Sequence, residues 1–125
     1  MQYLGIDFGL KRVGLAISEG NISSPFKTIE VKGLKDAIEK VVDFLHQEKF
    51  EKIVVGLPEG KMGQVVTGFI NALRKKGFDV VSTDETLSTH QAIQKMIELN
   101  IPLKKRRAND EMAAAVILQD WLDQR

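Results

Sequence analysis

Residues 3–18 read YLGIDFGLKRVGLAIS, two short apolar runs that flank a glycine-containing centre and enclose one carboxylate. The runs on either side of the centre predict two strands joined by a hairpin turn near Gly9. Asp7 ends the first run, and a carboxylate among apolar neighbours is costly to bury unless it is paired. We therefore expect Asp7 either to reach the surface at the turn or to lie beside a cation.

The composition is that of an ordinary globular protein. The chain has 125 residues, of which 43% are hydrophobic and 28% charged, so we expect one domain over residues 1–125 with a substantial core. Because cysteine is absent, disulfides, thiolate metal sites and cysteine nucleophiles are excluded. The net charge of +1 means that any nucleic-acid surface must be a local one. No signal-peptide pattern or long apolar stretch is found, so we expect a cytoplasmic protein without a membrane partner.

The order of periodic segments predicts an α/β fold. The predicted elements are strands at 2–8, 12–18 and 25–31, a helix at 34–49, a strand at 52–58, a helix at 63–77, a strand at 78–85, and helices at 88–99 and 109–124. This β-β-β-α-β-α-β-α-α order predicts an antiparallel meander, joined by later parallel strands through right-handed crossovers. The result is a five-stranded mixed sheet with helices on both faces. The first two helices carry apolar stripes at helical spacing, which are Leu34, Ala37, Ile38, Val41, Val42 and Leu45 in the first and Val66, Phe69, Ile70 and Leu73 in the second.

Two details of the strands follow from their sequences. Pro25 begins the third strand, and since proline cannot donate to a ladder, we expect that strand at an edge of the sheet. The strand at 52–58 is apolar without alternation, which is typical of a strand that is covered on both faces. We expect the strand at 78–85 to be covered in the same way.

Three acidic residues become candidates for one site when the topology is considered. Taken singly, Asp7 could be a turn residue, Glu85 a solvated loop residue and Asp110 a residue favoured by a helix dipole. However, Asp7 and Glu85 both end parallel, adjacent strands, at the edge where open α/β sheets bind ligands. The last helix begins at Asp110 and can reach the same edge.

Carboxylates that meet at one point repel each other, and a divalent cation removes that repulsion. Oxygen ligands suit Mg²⁺ or Mn²⁺, as one or two ions. We therefore expect Asp7, Glu85 and Asp110 to be both metal ligands and catalytic residues. Such a site suits hydrolysis of a phosphodiester.

Basic residues flank two of these acids. A basic run is usually a solvated face, but beside a metal-binding acidic cluster it favours contact with a nucleic-acid backbone. The residues that we expect to bind substrate in this way are Lys11, Arg12, Lys104, Lys105, Arg106 and Arg107.

Four segments resemble the conserved blocks of the YqgF family, namely LGIDFGLKRVGLAIS, IVVGLP, TDETLST and NDEMAAAVILQDWL. This family of RNase H-like nucleases includes proteins described as pre-16S rRNA nucleases and as Holliday junction resolvases. The resemblance covers the whole chain in order. It implies an RNase H-like fold and an acidic triad at Asp7, Glu85 and Asp110, and it places Ser88 and Thr89 at a helix cap or a phosphate contact.

The chain departs from the family pattern in two places. Thr86 stands where members often have an arginine directly after the glutamate, which removes one expected substrate contact. The loop after Pro58 is shorter than in many relatives. Both departures bear on the choice of substrate and leave the three acids unchanged.

The expected function is that of a metal-dependent nuclease. The resemblance implies processing of the 5′ end of pre-16S rRNA in ribosome biogenesis, with the ribosome as a possible partner, or alternatively cleavage of Holliday junctions in DNA recombination and repair. A junction resolvase needs two sites related by symmetry, whereas the sequence shows no exposed apolar stripe, so we expect a monomer or a weak homodimer.

Two other classes remain open. One is a non-catalytic nucleic-acid-binding module on a nuclease scaffold. The other is a phosphate-binding domain like those of actin and sugar kinases, whose first hairpin is similar but which needs a second lobe to close on a nucleotide.

Overall fold

The computed structural model describes residues 2–84 and 110–125, in which a five-stranded sheet is packed with three helices. The strands are β1 (Gln2–Asp7), β2 (Arg12–Glu19), β3 (Ile22–Glu30), β4 (Lys52–Leu57) and β5 (Val80–Asp84), and the helices are α1 (Leu34–Gln47), α2 (Lys61–Lys75) and α3 (Asp110–Asp123). The helix predicted at 88–99 lies outside the described residues. No helix in the described ranges is both long and apolar enough to span a bilayer.

The strand order is β3-β2-β1-β4-β5, which confirms the predicted mixed sheet. Strands β1, β2 and β3 form an antiparallel meander, while β4 is parallel to both β1 and β5. Because β1, β4 and β5 run side by side in the same direction, their last residues, Asp7, Leu57 and Asp84, lie at one edge of the sheet.

The prediction for β3 was right about its place and wrong about its start. The strand lies at the sheet edge but begins at Ile22, because Gly20 adopts a φ of 66° and closes a tight turn with β2. Such two-residue turns need a positive φ, which glycine supplies without strain. Pro25 lies inside the strand and pairs with Ala16, next to a shift in register.

The two parallel strands differ in burial. In β4, residues 53–56 are buried, as predicted. In β5, only Val80 is buried and Ser82 and Asp84 are exposed. The prediction that β5 is covered on both faces was therefore wrong, because the second half of the strand is polar and Ser82 and Asp84 remain in contact with solvent.

Helices α1 and α2 cover one face of the sheet. Each has an apolar stripe at helical spacing, and the stripe residues pack on alternate side chains of the central strands such as Leu4, Ile6 and Leu15. Four of the six stripe residues predicted for α1 are buried, and all four predicted for α2 are buried: Ala37, Val41, Val42, Leu45, Val66, Phe69, Ile70 and Leu73. This face holds the larger part of the core.

Helix α3 covers the opposite face and is buried almost all round its first half, as its apolar sequence indicates. It packs on β1, β2, β3 and β4. Near its C-terminal end, Trp121 meets Tyr3 edge to face, with ring centroids 5.3 Å apart.

The approach of α3 to the sheet is close enough to require glycine. A Cβ atom at Gly5 would lie 2.6 Å from Cβ of Leu118 and 2.8 Å from the carbonyl oxygen of Ala114. A Cβ atom at Gly14 would overlap the carbonyl group of Asp110. The backbone of α3 therefore packs directly on β1 and β2. Because Gly5 and Gly14 have no side chain, the helix can lie this close to the sheet.

We expect Gly5→Ala to lower the free energy of unfolding by about 1–3 kcal/mol, because the added methyl group forces the helix away from the sheet. Urea denaturation measures the change. The matched control is Gly68→Ala, at an exposed position inside α2 where a Cβ atom meets nothing within 4 Å. That change should raise stability by up to about 1 kcal/mol through helix propensity. A Gly5→Ala protein as stable as the parent would contradict the close approach.

Candidate functional site

Two of the three predicted acids lie in the described residues, and the fold brings them to the same edge. Asp7 ends β1 and Asp110 begins α3. Gly14 connects them, because it is the cross-strand partner of Asp7 and the Asp110 carbonyl group packs against it. Alternation along β1 puts Asp7 on the same face as Gly5, which is the face that α3 covers.

Both carboxylates are half-buried. The side chain of Asp110 is 29% exposed, and it lies in the first turn of α3 together with Glu111. The partial positive charge at a helix N-terminus stabilises a carboxylate in this position. Partial burial also lowers the effective dielectric, so a cation placed here is held more strongly than at a fully solvated carboxylate.

Arg12, which follows Asp7 by five positions in the sequence, forms an ion pair with Asp110. Nε of Arg12 lies 2.9 Å from Oδ2 of Asp110, and 63% of the Arg12 side chain remains exposed. A short contact between a guanidinium and a carboxylate is a charge-assisted hydrogen bond. This ion pair links the first residue of β2 to the first residue of α3. Arg12 therefore belongs to the site.

Apart from Lys11, which is described below with the basic cavity, the remaining predicted site residues lie outside the described ranges. Glu85 directly follows Asp84, which ends β5 two strands from β1, about 10 Å across the sheet. The others in this group are Ser88, Thr89, Lys104, Lys105, Arg106 and Arg107. Within residues 2–84 and 110–125, no three His, Cys, Asp or Glu side chains are grouped closely enough to hold a metal ion.

The donors that are described fit a hard divalent cation. Asp7 and Asp110 offer carboxylate oxygens, the ligands that Mg²⁺ and Mn²⁺ prefer. Their backbones are held together by the packing on Gly14. A cage of three carboxylates would take its third member from outside the described residues.

A basic cavity beside these acids was missed by sequence reasoning. Its volume is about 350 Å³, and it is lined by Lys11, Arg12, Glu30, Val31, Lys32 and Lys40. Lys11 and Arg12 were expected near substrate from their place after Asp7. Lys32 and Lys40 gave no such signal, because only the return of β3 and the start of α1 bring them next to the first hairpin.

Comparison with known proteins places the chain in a family. The sequence model described as "RuvX: Holliday junction resolvase" matches residues 1–124. A protein of Endomicrobium trichonymphae named "Putative pre-16S rRNA nuclease" is 37% identical, over 96% of this chain and 94% of its own length. A protein of the same name from Bacillus cereus strain B4264 is 36% identical over the full length of both chains.

Solved structures show the same fold at low sequence identity. Thermus thermophilus RuvC in complex with a Holliday junction substrate superposes with a TM-score of 0.69 at 18% identity, covering 100% of this chain and 95% of the other. Fowlpox virus resolvase in complex with Holliday junction DNA gives a TM-score of 0.70 at 13% identity, covering 99% and 98%. With the match over nearly the whole sequence, these findings confirm the predicted resemblance: the chain belongs to the RuvX (YqgF) family of RNase H-like nucleases.

Proposed function

We propose that this protein is a metal-dependent nuclease that hydrolyses phosphodiester bonds of structured RNA in the cytoplasm, with the 5′ end of pre-16S rRNA as its substrate. The observation that carries the proposal is the packing of the Asp110 backbone on Gly14, the cross-strand partner of Asp7, at the carboxyl edge of the sheet. The names of the relatives that are 36–37% identical over nearly their full length support the choice of substrate.

The proposed metal ligands are Asp7, Glu85 and Asp110. One or two bound Mg²⁺ or Mn²⁺ ions would supply an activated water and neutralise charge that builds on the phosphate oxygens. The chain itself contributes the spacing of the acids, which the packing of α3 on β1 and β2 sets.

Arg12 is proposed to bind the phosphate next to these acids. Its guanidinium has five N–H donors in a planar fork, and the ion pair with Asp110 uses Nε. The exposed part of the side chain can therefore donate to phosphate oxygens while Asp110 stays oriented. Lys11 adds positive charge on the same turn.

Outside the described residues, Lys104, Lys105, Arg106 and Arg107 are proposed to bind the nucleic-acid backbone, and Ser88 and Thr89 to contact a phosphate or cap a helix. Lysine and arginine contacts of this kind release counterions and give a strong dependence on salt. The proposed oligomeric state is a monomer or a weak homodimer, since a nuclease that trims one strand needs one site.

Cleavage of branched DNA is the second candidate. The family model's description names a Holliday junction resolvase, and the RuvC and fowlpox structures were solved with that kind of DNA. Cutting both strands of a junction requires two sites related by two-fold symmetry. A dimer that forms on a four-way junction would favour this candidate over the first.

We expect Asp7→Asn to lower the rate of cleavage by at least about a thousandfold, because it removes a negatively charged ligand oxygen where the metal is needed. The assay compares a 5′-extended pre-16S RNA, a four-way DNA junction and ATP, each with Mg²⁺, Mn²⁺ or chelator. Asp43→Asn is the matched control, since Asp43 is exposed on α1 on the other face of the sheet. Its rate should equal that of the parent.

The outcomes separate the candidate functions. Metal-dependent cutting of the RNA supports the proposal, and cutting of the junction alone supports the second candidate. Turnover of ATP alone would favour the kinase-like class. Nucleic-acid binding without cutting under every metal would favour the non-catalytic module, and equal rates for Asp7→Asn and the parent would remove Asp7 from the mechanism.

We expect Asp110→Asn to lower the free energy of unfolding by no more than about 1 kcal/mol, because the pair with Arg12 is partly solvated and such pairs contribute little. Thermal and urea unfolding measure this change, with Asp7→Asn and Asp43→Asn unfolded in parallel. Cleavage by Asp110→Asn should nevertheless be lost. A loss of stability above about 3 kcal/mol would instead show that Asp110 is a structural residue.

A further inference from the structure

The basic cavity lies between the start of β2, the end of β3 and the first turns of α1. Two backbone hydrogen bonds fix its floor, because the N–H of Val31 donates to the carbonyl of Lys11 at 2.9 Å and the N–H of Gly33 donates to that of Leu10 at 3.0 Å. These bonds tie the first hairpin to the segment that leads into α1. The cavity is therefore built on hydrogen-bonded backbone at the edge of the main sheet.

The lining carries an excess of positive charge. Among the described residues that line it, four of six are cationic and Glu30 is the one carboxylate. Arg12 is paired with Asp110, and Nζ of Lys40 lies 3.3 Å from Oδ2 of Asp36. In the part of the chain that the structure describes, Lys11 and Lys32 form no ion pair. Their charge is left to attract an anion.

The side chains of Lys40 and Asp36 form hydrogen bonds with the backbone that borders this cavity. Nζ of Lys40 donates to the carbonyl of Glu30 at 2.8 Å, and the backbone N–H of Lys32 donates to Oδ2 of Asp36 at 2.7 Å. The bond from Lys32, together with that from Lys40, holds the pKa of Asp36 below its ordinary value, so Asp36 stays ionised at neutral pH. The backbone N–H of Lys32 thus makes the hydrogen bond to Asp36, while its exposed ammonium adds a weaker coulombic attraction to the same carboxylate and stays accessible to a ligand.

The cavity continues the candidate active site, because Arg12 belongs to both. We propose that it binds a backbone phosphate of the substrate strand beside the candidate active site, with Lys11, Arg12 and Lys32 as its cationic contacts. The identity of the ligand as a nucleic acid rests on the proposed function. The strand would cross from the acids over the start of β2 towards the N-terminus of α1.

The test measures binding of the pre-16S RNA and of the four-way junction in the presence of chelator, so that metal-dependent cleavage does not occur. We expect Lys32→Ala to bind roughly fivefold more weakly near about 0.1 M salt and to lose about 0.7–0.9 from the magnitude of the slope of log K against log salt. Lys32→Glu should bind more weakly still. The melting temperature should change little, since the backbone N–H of this residue makes the hydrogen bond to Asp36 and its exposed ammonium adds a weaker attraction.

Lys49→Ala is the matched control. Lys49 is an exposed lysine just beyond the far end of α1, about 20 Å along the helix from its first residue, beside which Lys32 lies. It should bind with the affinity and salt slope of the parent. The proposal is overturned if both Lys32 variants bind as the parent does, or if Lys49→Ala weakens binding as much as Lys32→Ala.

The cavity and the nuclease activity can fail separately. If cleavage requires Asp7 but binding does not depend on Lys32, the nuclease proposal stands and the proposed phosphate site in the cavity is overturned. Binding that depends on Lys32 without any cleavage would support the phosphate contact and remove the nuclease proposal. A parent chain that binds neither nucleic acid would overturn both.

Discussion

The direct packing of the α3 backbone on Gly5 and Gly14 is the constraint on which the rest of the structure depends. A helix held at this distance cannot shift by one turn without driving side chains into the strands, because protein interiors are packed as densely as organic crystals. Since Gly14 is also the partner of Asp7, the same contact sets the distance between two acids that are far apart in the sequence. Packing, rather than charge, therefore determines the geometry of the candidate site.

The relative size of the two effects supports that view. Burial of one leucine-sized side chain contributes about 1.5–3 kcal/mol, and α3 buries seven residues on the sheet. The ion pair between Arg12 and Asp110 is partly exposed, and pairs of this kind contribute about 0–1 kcal/mol. The charges at the edge are thus a small part of what stabilises the fold, which leaves them available for binding an ion or a phosphate.

Sequence patterns predicted the parts of this protein that depend on local periodicity. The hairpin around Asp7, the stripes of α1 and α2 and the parallel order of β1, β4 and β5 all follow from spacing and from the rules of chain crossover. The patterns failed where tertiary neighbours decide the outcome. The Arg12–Asp110 pair joins residues 98 positions apart, and the place of Lys32 and Lys40 in the cavity depends on how β3 returns to the first hairpin. The start of β3 was missed because Pro25 was taken as its first residue, whereas the tight turn at Gly20 lets the strand begin at Ile22.

The proline and the register shift in β3 have a consequence for the behaviour of the molecule among its copies. An edge strand exposes hydrogen-bonding groups that can recruit a strand from another molecule. In β3, Pro25 offers no N–H, and the irregularity beside it breaks the even spacing that an incoming strand would require. Both features make it harder for a strand of another molecule to pair with β3. Extension of the sheet between molecules, which is a first step towards aggregation in a crowded cell, is therefore disfavoured on this side.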